Sequence, residues 1–462
     1  MAELTAEQKK YRQMTEEPVS RVIPRLALPG IVSMLVTSIY NMADTYFVSQ
    51  LSRSASGAVG VVLSLMTLIQ AIGFMLGMGA GVMLAQMLGR RDEETAGRYL
   101  SVSFFTAVAI GLAIMTAGLS IPERLALWLG STDTILPYAT DYMRYILIGA
   151  PYMCAAFAMN GLLRFQGNSF FSMLGIGFGG VLNMFLDPVF IYGLDLGIAG
   201  AAIATLISQF ISFCILLYFC ARRNAVVRLR ARNFRPSLEV YRNIFRMGLP
   251  SLARQSVGGF ATIVLNRCAH PFGDAAIAAM GIVNRVTMFL NSALIGYGQG
   301  FQPVCSYCYG AKKFSRIREG FFFCIKTASG FLAALALLVF FRADAIVEIF
   351  RRGDAEVIAI GAAALRYESL MVPLCGFYIM NNMLTQTTGR SARATILACA
   401  RQGIFFIPTV IVLTRTIGLA GLQLSQPISE LLSAAMAFVF CRITLRELDA
   451  EERAARAAEE PS

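Results

Sequence analysis

The chain has 462 residues, 56% hydrophobic and only 15% charged, with 40 Lys and Arg against 28 Asp and Glu, for a formal net charge of +12. Soluble domains carry roughly 25% charged residues, so this composition excludes a water-soluble globular protein. The basic excess sits in islands between long apolar runs, the pattern that orients a membrane protein rather than one that grips nucleic acid.

In chain order, residues 1–21 are polar and carry both charge signs, among them Lys9, Arg12 and Glu17. They read as a cytoplasmic N-terminal segment. The apolar segment that follows is too long for a cleaved signal peptide and should remain as a membrane helix. Runs of about 20 residues, enough to cross a bilayer, are predicted at 22–48, 56–86, 99–119, 137–162, 169–192 and 197–220. After a polar stretch they resume at 244–269, 275–307, 320–341, 357–386, 391–414 and 418–443. The expectation is an all-α integral membrane protein of about 12 transmembrane helices. Its N-lobe is residues 22–221, a cytoplasmic linker covers 222–243, and the C-lobe is 244–443. The charged tail 444–462 reads as a cytoplasmic helix extension or a disordered end.

Alternate loops differ in charge. One set holds Arg90, Arg91, Arg98, Arg164, the run from Arg222 to Arg246, Lys312, Lys313, Arg316, Arg318, Arg390 and Arg393; the other holds Arg53, Arg124, Arg342, Arg351, Arg352 and Arg415. The richer set is expected in the cytoplasm, with both termini. The halves also repeat. Pro29 and Pro250 stand 221 residues apart, and at that offset Gly79 matches Gly300 and Gly89 matches Gly310. At 222, Pro151 matches Pro373, Asn160 matches Asn382 and Gly167 matches Gly389. Each half makes an even number of crossings, so the repeat is parallel, with a substrate site expected between the halves.

Carboxylates inside a bilayer are costly and need a partner, a proton or a cation. Asp44 in the first segment and Asp187 in the fifth are such acids, both in the outer half. Tyr40 and Asn183 each precede an acid by four residues and share its helix face. Pro188 removes an amide beside Asp187, and Thr205 offers a hydroxyl at similar depth. This set suits either a shared proton or a sodium ion. In the second half the positions matching Asp44 and Asp187 are Leu265 and Thr409. Arg254, Arg285, Arg401 and Glu430 stand in apolar segments there and read as a polar network, with an Arg401–Glu430 salt bridge weighed against a substrate or coupling role.

Several stretches resemble the multidrug and toxic compound extrusion (MATE) family: Leu28-Pro29 leading to Tyr40-Asn41-Met42-Ala43-Asp44, Leu163-Arg164-Phe165-Gln166-Gly167-Asn168, Asn183-Met184-Phe185-Leu186-Asp187-Pro188, and Gly197-Ile198-Ala199-Gly200-Ala201-Ala202. The resemblance spans nearly the whole chain and is nearest the bacterial DinF-like and MepA-like branches. It implies a V-shaped, two-lobed antiporter of the bacterial inner membrane, exporting small organic, often cationic, compounds against protons or sodium. It also implies a cation-coupling cluster of Asp44, Asn183, Asp187 and Thr205, with Tyr40 and Asn160 as weaker members. A monomer without cofactor is expected. Relatives in the superfamily flip lipid-linked sugars, which is the alternative reading.

An enzyme is disfavoured, since a single histidine, His270, excludes HExxH zinc chemistry. His270 stands at an outer turn and reads as solvated rather than as a proton relay. Cys305 and Cys308 form the one CxxC and read as helix packing, because a lone pair makes a poor zinc site.

Overall fold

The computed structural model describes residues 6–50, 53–222 and 225–458, with the side chains of all but residues 6, 45, 46, 49 and 53–56. Arg223 and the Arg53 side chain, used above for orientation, lie outside the described residues. Among the described residues there is no strand. The helices are α1 (Ala6–Thr15), α2 (Val19–Ser49), α3 (Arg53–Gly89), α4 (Glu93–Ser120), α5 (Pro122–Trp128), α6 (Leu136–Phe165), α7 (Ser169–Pro188) and α8 (Gly197–Ala221). They continue as α9 (Leu238–Ala269), α10 (Gly273–Gly310), α11 (Phe314–Phe350), α12 (Ala355–Thr387), α13 (Ser391–Cys399), α14 (Phe406–Ile417) and α15 (Leu419–Ala457). Helices dominate because lipid offers no partner for backbone N–H and C=O groups.

Among the described residues, eleven apolar helical stretches are long enough to cross a membrane, and one of them, Leu238–Gly310, runs for 73 residues. That stretch holds both α9 and α10. They are separated by a 3-10 turn at His270–Phe272 and by Gly273, whose φ of 85° breaks the helix. Twelve helices of membrane-spanning length and composition result among the described residues, in the places the apolar runs predict. The charged tail extends α15 to Ala457 as a helix. His270 is exposed at its turn. Cys305 and Cys308 are buried and free of any disulfide.

The repeat is visible in the caps. Gly167 (φ 78°) and Gly389 (φ 84°) close α6 and α12. In each, the residue after the glycine bonds back five residues, Asn168 N to Leu163 O at 3.0 Å and Arg390 N to Thr385 O at 2.9 Å.

Within the N-lobe, α6 packs against α3, α4 and α8, and α7 fills the gap between α2 and α8. Within the C-lobe, α12 packs against α10, α11 and α15. The lobes meet where α2 crosses α10 and α3 crosses α9, two contacts related by the repeat. Glycines make these crossings possible: a Cβ on Gly79 would sit 2.0 Å from Ile244 O, and one on Gly300 2.5 Å from Ala27 N. Interlobe contacts gather in the half nearer the termini, reaching mid-depth at the Ser38–Ser292 hydrogen bond (2.9 Å). Beyond that pair, Met42 (48% exposed) and Met288 (58%) lie one turn outward on the same faces, so the lobes part toward the opposite side. α1 lies across the closed end. Lys10 Nζ donates to Gly167 O at 2.9 Å in one lobe, and Lys313 Nζ donates to Thr15 O at 3.2 Å from the other.

Candidate functional site

Four N-lobe helices bring their polar side chains together near the end remote from the termini. α2 supplies Tyr40 and Asp44, α7 supplies Asn183 and Asp187, α8 supplies Thr205 and Gln209, and α6 supplies Tyr142. The four-residue spacings put each pair on one helix face. Gly180, one turn before Asn183, leaves room for α2: a Cβ there would already touch Val36 Cγ1 at 3.3 Å. Asp44 is 2% exposed and Asp187 is fully buried. Asn183 Nδ2 donates to Asp187 Oδ1 at 3.0 Å and to Thr205 Oγ1 at 3.3 Å. The two carboxylates lie close enough to act on each other and on the hydroxyls of Tyr40 and Tyr142.

The cluster is under-satisfied. Among the described residues, the acceptors Asp44 Oδ1, Asp187 Oδ2, Asn183 Oδ1 and Gln209 Oε1 are buried without a hydrogen-bond partner, and so are the two hydroxyls of Tyr40 and Tyr142. Leaving one such group unsatisfied costs about 1–3 kcal/mol. Proline at 188 adds to the acceptor excess, because it has no N–H to close the last helical turn before the π-helical turn Val189–Gly193. Among the described residues no group of three His, Cys, Asp or Glu forms. Carboxylate, amide and hydroxyl oxygens of this kind fit a proton or a hard monovalent cation better than a transition metal.

Asn160 does not join this cluster, contrary to its weaker membership above. Its amide donates to Ser172 Oγ at 2.6 Å and to Ser172 O at 3.1 Å, and its Oδ1 accepts from Arg164 Nη1 at 3.2 Å. The reason is depth: Asn160 lies one turn from the end of α6 that meets the terminal face, whereas the acids lie at the other end of their helices. Arg164, counted above with the loop cations, is also corrected. It is 2% exposed inside α6, and its Nη1 reaches Gln299 Oε1 of the other lobe at 3.0 Å.

In the C-lobe, Arg401 Nη1 bonds Glu430 Oε1 at 3.0 Å, with the Glu430 side chain 2% and the Arg401 side chain 15% open. Glu368 of α12, passed over in the sequence, is 3% exposed and accepts from Gln426 Nε2 at 3.1 Å. Its Oε2 and that of Glu430 both lack a partner. Glu368 was findable by the rule that found Asp44, an acid inside a predicted span. Arg254 lines a pocket with Arg401 and Gln402, while Arg285 is exposed on α10.

A family profile, MatE, matches residues 29–189 and again residues 250–412. The chain belongs to the MatE family. The two matches begin 221 residues apart, at the prolines that opened the repeat. Among curated relatives, the multidrug export protein MepA of Staphylococcus haemolyticus (strain JCSC1435) is 26% identical over 423 residues, covering 91% of this chain and 93% of the relative. MepA of Staphylococcus aureus (strain MW2) is 26% identical over 425 residues, covering 92% and 94%. Among solved structures, a MATE in complex with MaL6 superposes with a TM-score of 0.91 at 27% identity, covering 96% of this chain and 99% of that one. An outward-facing multidrug resistance MATE family transporter of the MOP superfamily also gives 0.91 at 27%, covering 97% and 100%.

The MatE repeat explains why the lobes differ chemically. At the offset of 221, Tyr40, Asp44, Thr205 and Gln209 correspond to Ala261, Leu265, Gln426 and Glu430, and at the offset of 222 that pairs Asp187 with Thr409, Gly179 corresponds to Arg401. In the C-lobe the space of the tyrosine and aspartate is given to alanine and leucine. An arginine enters where the N-lobe has glycine, and a glutamate answers it. Ala261, Leu265, Arg401 and Gln426 all line one pocket, the C-lobe counterpart of the acidic cluster.

Proposed function

We propose that this protein is a secondary active transporter of the bacterial inner membrane. It exports small organic compounds, cationic ones among them, in exchange for protons or sodium ions. Both termini lie in the cytoplasm, following the excess of Lys and Arg in the loops on that side, and the transporter works as a monomer. The observation that carries the coupling reading is the buried N-lobe cluster with its orphan acceptors on Asp44, Asn183 and Asp187. A proton or sodium ion bound there satisfies oxygens on α2, α7 and α8 at once. It therefore favours whichever lobe conformation brings those helices together. Closure at the terminal face and parting beyond Ser38–Ser292 support a cleft that opens outward in this state. The staphylococcal relatives are multidrug exporters by name, which favours export over flipping of lipid-linked precursors.

The test uses purified protein in liposomes loaded with ethidium, under a pH gradient or a sodium gradient imposed separately. Asp44→Asn is expected to abolish gradient-driven movement while the protein stays monodisperse. A well-folded mutant that moves ethidium at the wild-type rate refutes the assignment.

A further inference from the structure

Two guanidiniums at the base of the cleft have no acid to answer them. Arg164 bonds Asn160, Gln299 and Met78 Sδ, all uncharged, and its buried Nε has no partner. Arg254 of α9 is half-buried, and the charges it meets are Arg164 and Arg401, with the Tyr378 hydroxyl beside them. Neither arginine makes an ion pair among the described residues. Arg401 is answered by Glu430, so it leaves Arg254 uncompensated. Arg285, with no ion pair among the described residues, adds a further cation on the cleft side, because it lies seven residues from Ser292 and so on the face that meets α2.

An unpaired arginine inside the membrane is costly even on the mildest insertion scales. Two that repel each other cost more, and packing alone gives no reason to keep them. A carboxylate, sulfonate or phosphate group entering beside Arg254 compensates its charge and offsets the repulsion from Arg164 and Arg401, and the planar guanidinium fork suits such a group bidentately. Asn291 and Gln402 line the same pocket and offer amide donors. The exposed Met42 and Met288 give an adaptable apolar wall farther out.

We infer that the C-lobe wall of the cleft is a subsite for the acidic group of an amphiphilic organic acid, so that the exported compounds include anionic and zwitterionic ones. This rests on the export reading. It assigns the two lobes separate tasks, with the coupling ion in the N-lobe and the acidic group of the substrate in the C-lobe.

Rhodamine 110, which carries a free carboxylate, and rhodamine 123, its methyl ester, test this. Equilibrium binding to the purified full-length protein is read by fluorescence anisotropy, and gradient-driven movement is read in liposomes. The acid is expected to bind about tenfold tighter than the ester, the value of one charge-assisted pair. Arg254→Gln removes that preference and Arg254→Lys keeps part of it, while ester binding changes much less. Equal affinity for the two dyes, or a preference that survives Arg254→Gln, overturns the inference. Displacement of the acid by phosphatidylglycerol but not by benzenesulfonate assigns the arginines to a lipid headgroup and overturns it too. If the ester moves on a gradient but the acid binds no better, export stands and this inference falls. If the acid binds through Arg254 but neither dye moves, the acid subsite stands and the export reading falls.

Discussion

The Arg401–Glu430 pair lends itself to a quantitative test. At 3.0 Å and an effective dielectric near 20, the attraction is about 5.5 kcal/mol. Desolvation of both groups offsets much of this, so removing the pair outright should be near neutral. Removing one partner leaves the other buried without its ion pair, which costs about 3–5 kcal/mol. Glu430→Gln and Arg401→Gln are therefore each expected to destabilise strongly, and the double variant Arg401→Met with Glu430→Leu to lie within about 1 kcal/mol of wild type. If the C-lobe unfolds as a unit, each single variant lowers its midpoint by on the order of 10 °C. The assay is thermal unfolding followed with a thiol-reactive dye. Cys375 is a built-in reporter, because it is buried and lies beside Arg401 and Glu430. Single variants that melt within a degree or two of wild type, or a double variant as unstable as the singles combined, refute the reasoning.

Other perturbations act on the closed terminal face. Gly79→Ala forces a Cβ to 2.0 Å from Ile244 O. Overpacking of this kind costs about 1–3 kcal/mol, here charged to the closed state, so the lobes should part there and the buried Cys308 should label faster with maleimide. Gly60→Ala meets nothing within 4 Å and serves as the control. In α1, a hydrogen bond to the Glu93 side chain, aided by burial and by repulsion from that carboxylate, pushes the Glu7 carboxyl up to about 7. The docked helix thus favours protonated Glu7. Its docking is strongest below the ordinary glutamate value of 4.5 and weakens as pH rises through about 7. α1 covers Cys308, whose Sγ lies 3.5 Å from Met14 O. Labelling of Cys308 should therefore accelerate with pH beyond the thiol's own reactivity, and Glu7→Gln should remove that excess. An identical pH profile in Glu7→Gln refutes the link.

The crossings, their order and the parallel repeat were legible in the sequence alone. Lipid tolerates only long apolar helices, so composition along the chain and the recurrence of Pro29 at Pro250 carry that information locally. The same one-dimensional signal marked Asp44, Asp187 and their four-residue partners, because an acid in an apolar run is conspicuous and helical phase fixes its companions. The sequence alone put Arg164 in a loop, gave Asn160 a weak place in the acid cluster although deeper in the membrane, and passed over Glu368. In each case the deciding fact is which side chain of another helix lies opposite: Gln299 for Arg164, Ser172 for Asn160, and Gln426 for Glu368. Whether a charge is paired, and whether it faces lipid, a neighbour or a cleft, depends on contacts between residues far apart in the chain, 135 positions for Arg164 and Gln299. Periodicity within one helix holds no record of those contacts, so only the packing of the lobes decided them.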